Sequence, residues 1–571
     1  MKMVIFMALL LVLNLQATQQ RPTELELKKM IGKMLIVGFD GQSVKQNSDI
    51  YRYIKEYDLG GVILFDRDYY ARDKTKNIKS PKQLQALTAQ LQAISPRPLI
   101  ISVDQEGGKV ARLKSKYGFK ATPSAYDIAT EHNGAYAKKM YDELANELHV
   151  NGITCNFAPV VDLALNPKNR VIYQLNRAYS KQAPSVVRYA QIFTDSLNEH
   201  GVISVLKHFP GHGSSLGDSH EGFVDVTKTW SSKELKPYAE LIERDKVDMI
   251  MTAHVFNAKL DKNYPATLSH KTNTKLLREY LGYDGVIVSD DLQMKAIASQ
   301  YDLKETVTLA INSGVDILLF GNQLAHQDLH KLLDVIYKQV RANKIKLSRI
   351  IESNKRVDTL LKKFSKIERM VQKPIDFTPK RVAMTKEYIR THYDLNVTNI
   401  VIEPKSIVLH WTAIMDANES YARLKRDTLF TDREDIAAAS LLNVSAHFLV
   451  ERDGTINQLM PDNFMARHVI GLNYSSIGVE NVGGQNNENE DLTQAQVDAN
   501  VELIRHLKQK YPDIEYLIGH HEYRAMEQTS LWLEKDDGYR TVKKDPGEKF
   551  MKAVRSRLKD LGFKKAPKVM H

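Results

Sequence analysis

From residue 33 to 322 the chain alternates short apolar runs with longer segments whose apolar residues recur at helical spacing. The runs are Leu35-Ile-Val-Gly-Phe, Gly61-Val-Ile-Leu-Phe, Leu99-Ile-Ile-Ser-Val, Ile153-Thr-Cys-Asn-Phe, Val202-Ile-Ser-Val-Leu, Met249-Ile-Met-Thr-Ala, Val286-Ile-Val-Ser and Ile317-Leu-Leu-Phe. A run without polar alternation fits a strand covered on both faces, and parallel sheets are built from such strands. Eight of them, separated by amphipathic segments, predict an α/β fold, a (β/α)8 TIM barrel. A doubly wound open sheet is the alternative. The barrel is preferred because polar residues gather just after the runs, at the face where barrels carry their active sites.

Residues 322–370 keep helical periodicity, with Leu332, Leu333, Ile336, Val340, Ile345, Ile350 and Ile351 as apolar anchors, and are expected to close a first domain spanning 22–370. Around Lys373-Pro374-Ile-Asp-Phe-Thr-Pro379 the pattern breaks, and closely spaced prolines predict a linker over 371–384. A second, smaller domain follows over 385–562, then a basic tail at 563–571.

Composition narrows the setting. A chain of 571 residues with 43% hydrophobic residues is a folded protein too long for one core. Lys2, the apolar run 4–15 and small Ala17 have the layout of a signal peptide over 1–17, so export to the periplasm or cell surface is expected. That run is too short for a stable membrane span. The one cysteine, Cys155, lies in a predicted strand and has no partner for an intramolecular disulfide. The net charge of +11 comes from scattered basic residues, which argues against nucleic acid and for an anionic polymer such as peptidoglycan.

Charged groups directly after buried strands are costly unless they are used. Here they are Asp104-Gln105-Glu106-Gly107-Gly108, Asp162, Lys207-His208-Phe-Pro-Gly211-His212-Gly213, His254 and Ser289-Asp290-Asp291. The Lys-His-Phe-Pro-Gly-His-Gly segment followed by Asp218-Ser219-His220, together with Gly285-Val-Ile-Val-Ser-Asp290, resembles glycoside hydrolase family 3 and within it the NagZ-type β-N-acetylglucosaminidases. The resemblance covers about 25 to 370 and implies a retaining glycosidase, which needs a carboxylate nucleophile and a proton donor. It assigns the nucleophile to Asp290, the acid/base to His220 and the orientation of that ring to Asp218. A histidine serves as acid and then base near neutral pH. Asp291 is the weaker nucleophile, because successive residues leaving a strand point to opposite sides.

The same resemblance gives sugar-binding roles to Asp104, Arg112, Arg177, Lys207 and His208, and no cofactor. Gly211, Gly213 and Gly217 are expected to let the Asp218 loop close over a sugar. His254 either satisfies a loop backbone or takes part in the site, and Tyr280 should lie on the helix side, away from the chemistry.

In the second domain the fragments Ile407-Val-Leu-His410, Ser445-Ala-His447, Ala466-Arg-His468, Ile477-Gly-Val-Glu480, Ile518-Gly-His520-His521 and Lys543-Lys-Asp545-Pro-Gly547 resemble the zinc amidases of the AmpD and peptidoglycan-recognition type. That implies a mixed-sheet α/β domain that cuts the N-acetylmuramoyl-L-alanine amide, with Zn2+ held by His410, His520 and Asp545. Three protein ligands and one open position are what a catalytic zinc needs. Glu480 is implied as proton acceptor, Lys543 as oxyanion stabiliser, and His468 and His447 as substrate or supporting groups. The 24 residues between His520 and Asp545 form a long, charged insertion containing Trp532.

The two halves together predict a bifunctional peptidoglycan hydrolase. One rival is a glycosidase with a non-catalytic, peptidoglycan-binding second domain. Another is a barrel acting on other β-glycosides, against which the Asp218 and His220 pair speaks.

Overall fold

The computed structural model describes residues 22–219, 221–365 and 370–567, so the predicted signal peptide, His220 and the last four residues lie outside the described residues. The chain forms two compact units, Met1–Leu360 and Leu361–His571.

In the first unit the eight apolar runs become β1 (Leu35–Gly38), β2 (Gly61–Ile63), β3 (Ile100–Val103), β4 (Cys155–Asn156), β5 (Ile203–Phe209), β6 (Met249–Thr252), β7 (Val286–Ser289) and β8 (Leu318–Phe320). Each pairs in parallel with its sequence neighbour and β8 returns to β1. A parallel bridge from Val288 to Ile317 spans the remaining gap, so the sheet closes as a barrel. All positions of these strands are buried, as unbroken apolar runs require.

Outer helices such as Glu24–Gly32, Pro81–Ile94, Ala183–Glu199 and Leu303–Ser313 cover the barrel with their apolar stripes. Capping boxes start two of them, Thr23 with Glu26 and Asp302 with Glu305. Leu332, Leu333, Ile336, Val340, Ile345 and Ile350 are buried on the closing helical segments, while Ile351 is exposed. Tyr280, 79% exposed, ends the outer π-helix Lys271–Tyr280.

Strand β5 is longer than its apolar run, for it continues through Lys207 and His208 to Phe209. The apolar pattern stops at Leu206 because the next two side chains are polar, yet both are buried. Strand β4 is shorter than the predicted run of five, keeping two residues.

The second unit holds β9 (Val371–Gln372), β10 (Ser406–Trp411), β11 (Phe448–Val450), β12 (Ile456–Gln458), β13 (Ser476–Asn481) and β14 (Tyr516–Gly519). They form one mixed sheet in the order β9-β12-β11-β13-β10-β14, with only β11 and β12 antiparallel. Alternation along β10 sends Ile407 and Leu409 into the core under helices Gln494–Lys510 and Glu548–Ser556. Val408 faces the opposite core with Tyr388, Ile389 and Tyr393 of helix Pro379–Tyr393, and His410 follows Val408 by two residues on that same side.

The expected linker over 371–384 is not a linker. Strand β9 pairs with β12, and Pro379 occupies the first turn of a helix capped by Thr378. Proline is favoured at that position because its missing N–H has no helical partner there, so Pro379 begins an element where its spacing from Pro374 suggested a break.

The insertion before Asp545 is tied down. Trp532 stacks on Tyr523 and lies under the Arg540 guanidinium, while Glu534 accepts from His392 Nδ1 at 2.9 Å. Among the described residues no helix is long and apolar enough to cross a membrane.

Two candidate active sites

At the C-terminal ends of the barrel strands lies a cleft of about 370 Å3 whose walls include Asp104, Arg112, Arg177, Lys207, His208, Asp218 and Asp290. Beneath it sits a buried ion network. Lys207 Nζ is 2.9 Å from Asp104 and 2.7 Å from Glu106; Arg112 donates to Asp104 at 3.0 Å. Arg177 grips Glu106 with two bonds of 2.8 Å. Burial raises the carboxyls of Asp104 and Glu106, but for Asp104 the charges of Lys207 and Arg112 outweigh it and hold the group well below the usual range. Arg177 and Lys207 bring Glu106 down to about 2. This pairing is what lets β5 carry charge inside the barrel.

His208 and the loop after it are organised by Asp162, at the end of the β4 segment. The buried Asp162 carboxylate accepts from His208 Nδ1 at 2.7 Å and from the His212 backbone N–H at 2.7 Å. His208 Nε2 lies 3.4 Å from Arg177, at the cleft. Burial, reinforced by His208 nearby, pushes His212 down to about 4, so its ring is neutral.

Gly211 and Gly213 serve contact more than hinge motion. A Cβ on Gly213 would stand 1.8 Å from the Leu163 carbonyl oxygen, and one on Gly211 2.5 Å from Glu234, where φ is +120°. Glu234 is itself buried, accepts the Gly213 N–H at 2.9 Å, and is raised by burial to about 7. The loop bearing Asp218 is therefore rooted at its start by packed glycines.

Asp290 and Asp291 follow β7 directly, and both line the cleft. Asp290 opens on the cleft, and its Oδ1 accepts the Asp291 N–H at 2.8 Å. The Asp291 carboxylate accepts the N–H groups of Gly321 and Gln293, each at 3.1 Å, a structural task at the end of β8.

In the second unit, strand register builds the other site. His410 of β10 pairs across from Glu480 of β13, and Leu409 from Gly519 of β14, so His520 follows at the same level. The Nδ1 atoms of His410 and His520 are 3.0 Å apart, and Asp545 Oδ2 lies 3.0 Å from His520 Nδ1 and 3.3 Å from His410 Nδ1. Tetrahedral bonds of about 2.0–2.1 Å to zinc place ligand atoms roughly 3.3 Å apart, so the triad fits such an ion. Burial opposes the Asp545 charge, but His520 and His410 hold its carboxyl far below the ordinary range. His521 turns away, its Nδ1 meeting the Asp545 carbonyl oxygen at 3.0 Å.

Behind the triad, His410 Nε2 meets His468 Nδ1 at 3.0 Å, and His468 Nε2 meets Ser476 Oγ at 3.1 Å. With His410 Nδ1 kept for a metal, this chain fixes Nε2 as the protonated nitrogen. His468 thus orients His410, although its ring also lines the cavity of about 530 Å3 that holds the triad, Glu480 and Lys543. His447 bonds the Gly478 N–H and the Phe464 carbonyl, a purely structural pair of contacts. Burial lifts Glu480 to about 7, and its Oε2 has no hydrogen-bond partner among the described residues.

Sequence reasoning gave no role to Glu106, Asp162 or Glu234. Glu106 stands two residues after Asp104, on the same side of an extended segment, and Asp162 closes an apolar run; both were visible as charges after strands. Glu234 has no such signal, since it approaches from a short helical turn 21 residues beyond Gly213.

Comparison with known proteins agrees with this division. Residues 26–360 match the family "Glycosyl hydrolase family 3 N terminal domain", and residues 401–548 match "N-acetylmuramoyl-L-alanine amidase". A beta-hexosaminidase of Tolumonas auensis is 34% identical over 297 residues, 50% of this chain and 82% of the relative. Beta-hexosaminidase A of Pseudoalteromonas piscicida is 34% identical over 51% of this chain, which spans only 53% of that protein's length. A glycoside hydrolase family 3 beta-N-acetylglucosaminidase structure from a Paenibacillus species aligns with a TM-score of 0.54 at 25% identity, covering 86% of this chain and 84% of that one.

Proposed function

Because this chain belongs to glycosyl hydrolase family 3 and carries an amidase-like second unit, we propose that it is a bifunctional peptidoglycan hydrolase. The barrel removes β-linked N-acetylglucosamine from N-acetylmuramic acid with retention, and the second unit cleaves the N-acetylmuramoyl-L-alanine amide. The observation that carries the pairing is that Asp290 and Asp218 open on one cleft while His410, His520 and Asp545 converge in another.

In the first reaction Asp290 attacks the anomeric carbon and His220, the acid/base that the family resemblance implies together with Asp218, gives a proton to the departing oxygen. Water then replaces the Asp290 carboxylate while the neutral His220 takes up its proton. Asp104, Arg112, Arg177, Lys207 and His208 hold the sugar, their charges already paired and preorganised.

In the second reaction, a zinc ion on His410, His520 and Asp545 would polarise the amide carbonyl and make water nucleophilic near neutral pH. Glu480 accepts the proton of the attacking water and passes it to the departing amine. Lys543, which lines the same cavity, neutralises the developing oxyanion. A module that only binds the wall needs no buried carboxyl beside a metal-binding triad, so the placement of Glu480 supports catalysis.

The signal-like opening supports export, with the wall or its fragments as substrate. Mass spectrometry of defined muropeptides digested with and without a chelator tests the whole reading. Free N-acetylglucosamine should appear in both digests and free stem peptide only without chelator. The absence of both products sinks the proposal.

A further inference from the structure

The imidazole of His254 touches the turn that carries Asp290. It follows β6 by two residues and is 1% exposed. Its Nε2 meets the Asp291 carbonyl oxygen at 2.9 Å, and its Nδ1 meets Thr267 Oγ1 at 2.8 Å. A carbonyl only accepts, so Nε2 carries hydrogen. The Thr267 hydroxyl has two acceptors for its single hydrogen, Nδ1 and the Ala253 carbonyl at 2.9 Å.

Thr252 completes the arrangement. Its hydroxyl donates to Thr267 Oγ1 at 2.9 Å, and its carbonyl accepts the Asp290 N–H at 3.3 Å. The end of β6 thus grips the turn on both sides of the Asp290 side chain, once through the ladder and once through a buried relay Thr252–Thr267–His254–Asp291. Such chains polarise one another, so each bond is stiffer than it would be alone.

We propose that His254 is a positioning residue for the nucleophile, fixing the Asp290–Asp291 turn through the Asp291 carbonyl so that the Asp290 carboxylate keeps its line of attack. The inference rests on Asp290 being the nucleophile. Its consequence is a loss in rate with little loss in binding, because the sugar is held by the separate ion network around Lys207. A misplacement of about 1 Å at a reacting atom costs roughly 100-fold.

The test compares His254→Gln with His254→Asn in the full chain, on an aryl β-N-acetylglucosaminide. The glutamine amide nitrogen reaches nearly the position of Nε2 and keeps the donor to Asp291; the asparagine amide stops near Nδ1 and loses it. His254→Asn should lower kcat roughly 100-fold with KM within about threefold, whereas His254→Gln should keep most of the rate. Both should melt alike and release peptide as the parent does. Equal rates in the two variants, a loss carried by KM, or a loss that follows the melting temperature would overturn the proposal. Should both variants fail to fold, Thr267→Val against Thr267→Ser asks the same question of the relay, with loss expected only in the former and equal rates again overturning it. A parent chain that releases no aryl group would instead overturn the glycosidase reading itself.

Discussion

His410 and His520 face each other nitrogen to nitrogen, Nδ1 to Nδ1 at 3.0 Å, with the Asp545 carboxylate completing a near-equilateral triangle. Two imidazole lone pairs and an anion converge favourably only on a cation. Replacing His410 by Ala should therefore abolish bound zinc and peptide release together while sugar release continues. Metal analysis of the purified variant, beside the two product assays, checks this; full zinc occupancy in that variant would contradict it.

Asp290→Ala should have the opposite signature. With no carboxylate to form the glycosyl intermediate, sugar release falls to background, and peptide release from the same digest is unchanged. A crossed loss would show that the two sites do not act independently.

The ion network under the cleft makes a stability prediction. Glu106, ordinarily near 4.5, is held at about 2 in the fold, where the charges of Arg177 and Lys207 outweigh burial. A depressed carboxyl contributes stability above its unfolded value and loses it as pH falls through the folded one. The window is pH 4.5 down to 2, and the contribution is on the order of 3 kcal/mol. Glu106→Gln should melt lower than the parent at pH 6, with the gap narrowing towards pH 3. Thermal melts of the two proteins at both pH values measure it.

Burial lifts Glu480 to about 7, against the pull of His410, and a dication on the triad pulls it lower. A proton acceptor must be ionised, so peptide release should rise with pH along a limb whose midpoint lies at or below about 7. Glu480→Gln should remove the limb together with the activity, by roughly 100-fold or more. A midpoint clearly above 7 in the parent would exclude Glu480 as the base.

Gly213→Ala adds a methyl that would stand 1.8 Å from the Leu163 carbonyl oxygen, so backbone must move. The loop that leads to Asp218 begins there. Sugar release should fall with a lowered melting temperature, whereas Gly217→Ala, whose nearest neighbour is a Val224 methyl at 3.2 Å, should be milder. Parallel melts and rates of the two variants decide it.

The barrel was legible because its strands are buried on both faces, so burial is written as uninterrupted apolar runs. The same code failed at β5, where Lys207 and His208 continue the strand under cover of Asp104, Glu106 and Asp162, partners supplied by the segments that follow β3 and β4. Pairing across strands leaves no local trace in sequence. Histidines and acids closing apolar runs pointed to His410, His520 and Asp545, which the fold brings close enough to hold a metal ion, but the orientation of His410 by His468 depends on a loop 58 residues away. The prolines near 374 and 379 misled, since proline marks a helix start as readily as a chain break.

The bond that His392 donates to Glu534 bears on where this molecule divides. Asp545 comes from a segment whose anchor includes the helix Pro379–Tyr393, through Glu534 and through the Lys535 N–H, which donates to the His392 carbonyl at 2.9 Å. That helix is therefore as much a part of the amidase module as the sheet is. A fragment cut at 395 would keep His410, Glu480, His520, Lys543 and Asp545 and forfeit the clamp on the segment that carries Asp545, so gene fusions or excisions that exchange this module must carry it from before residue 371.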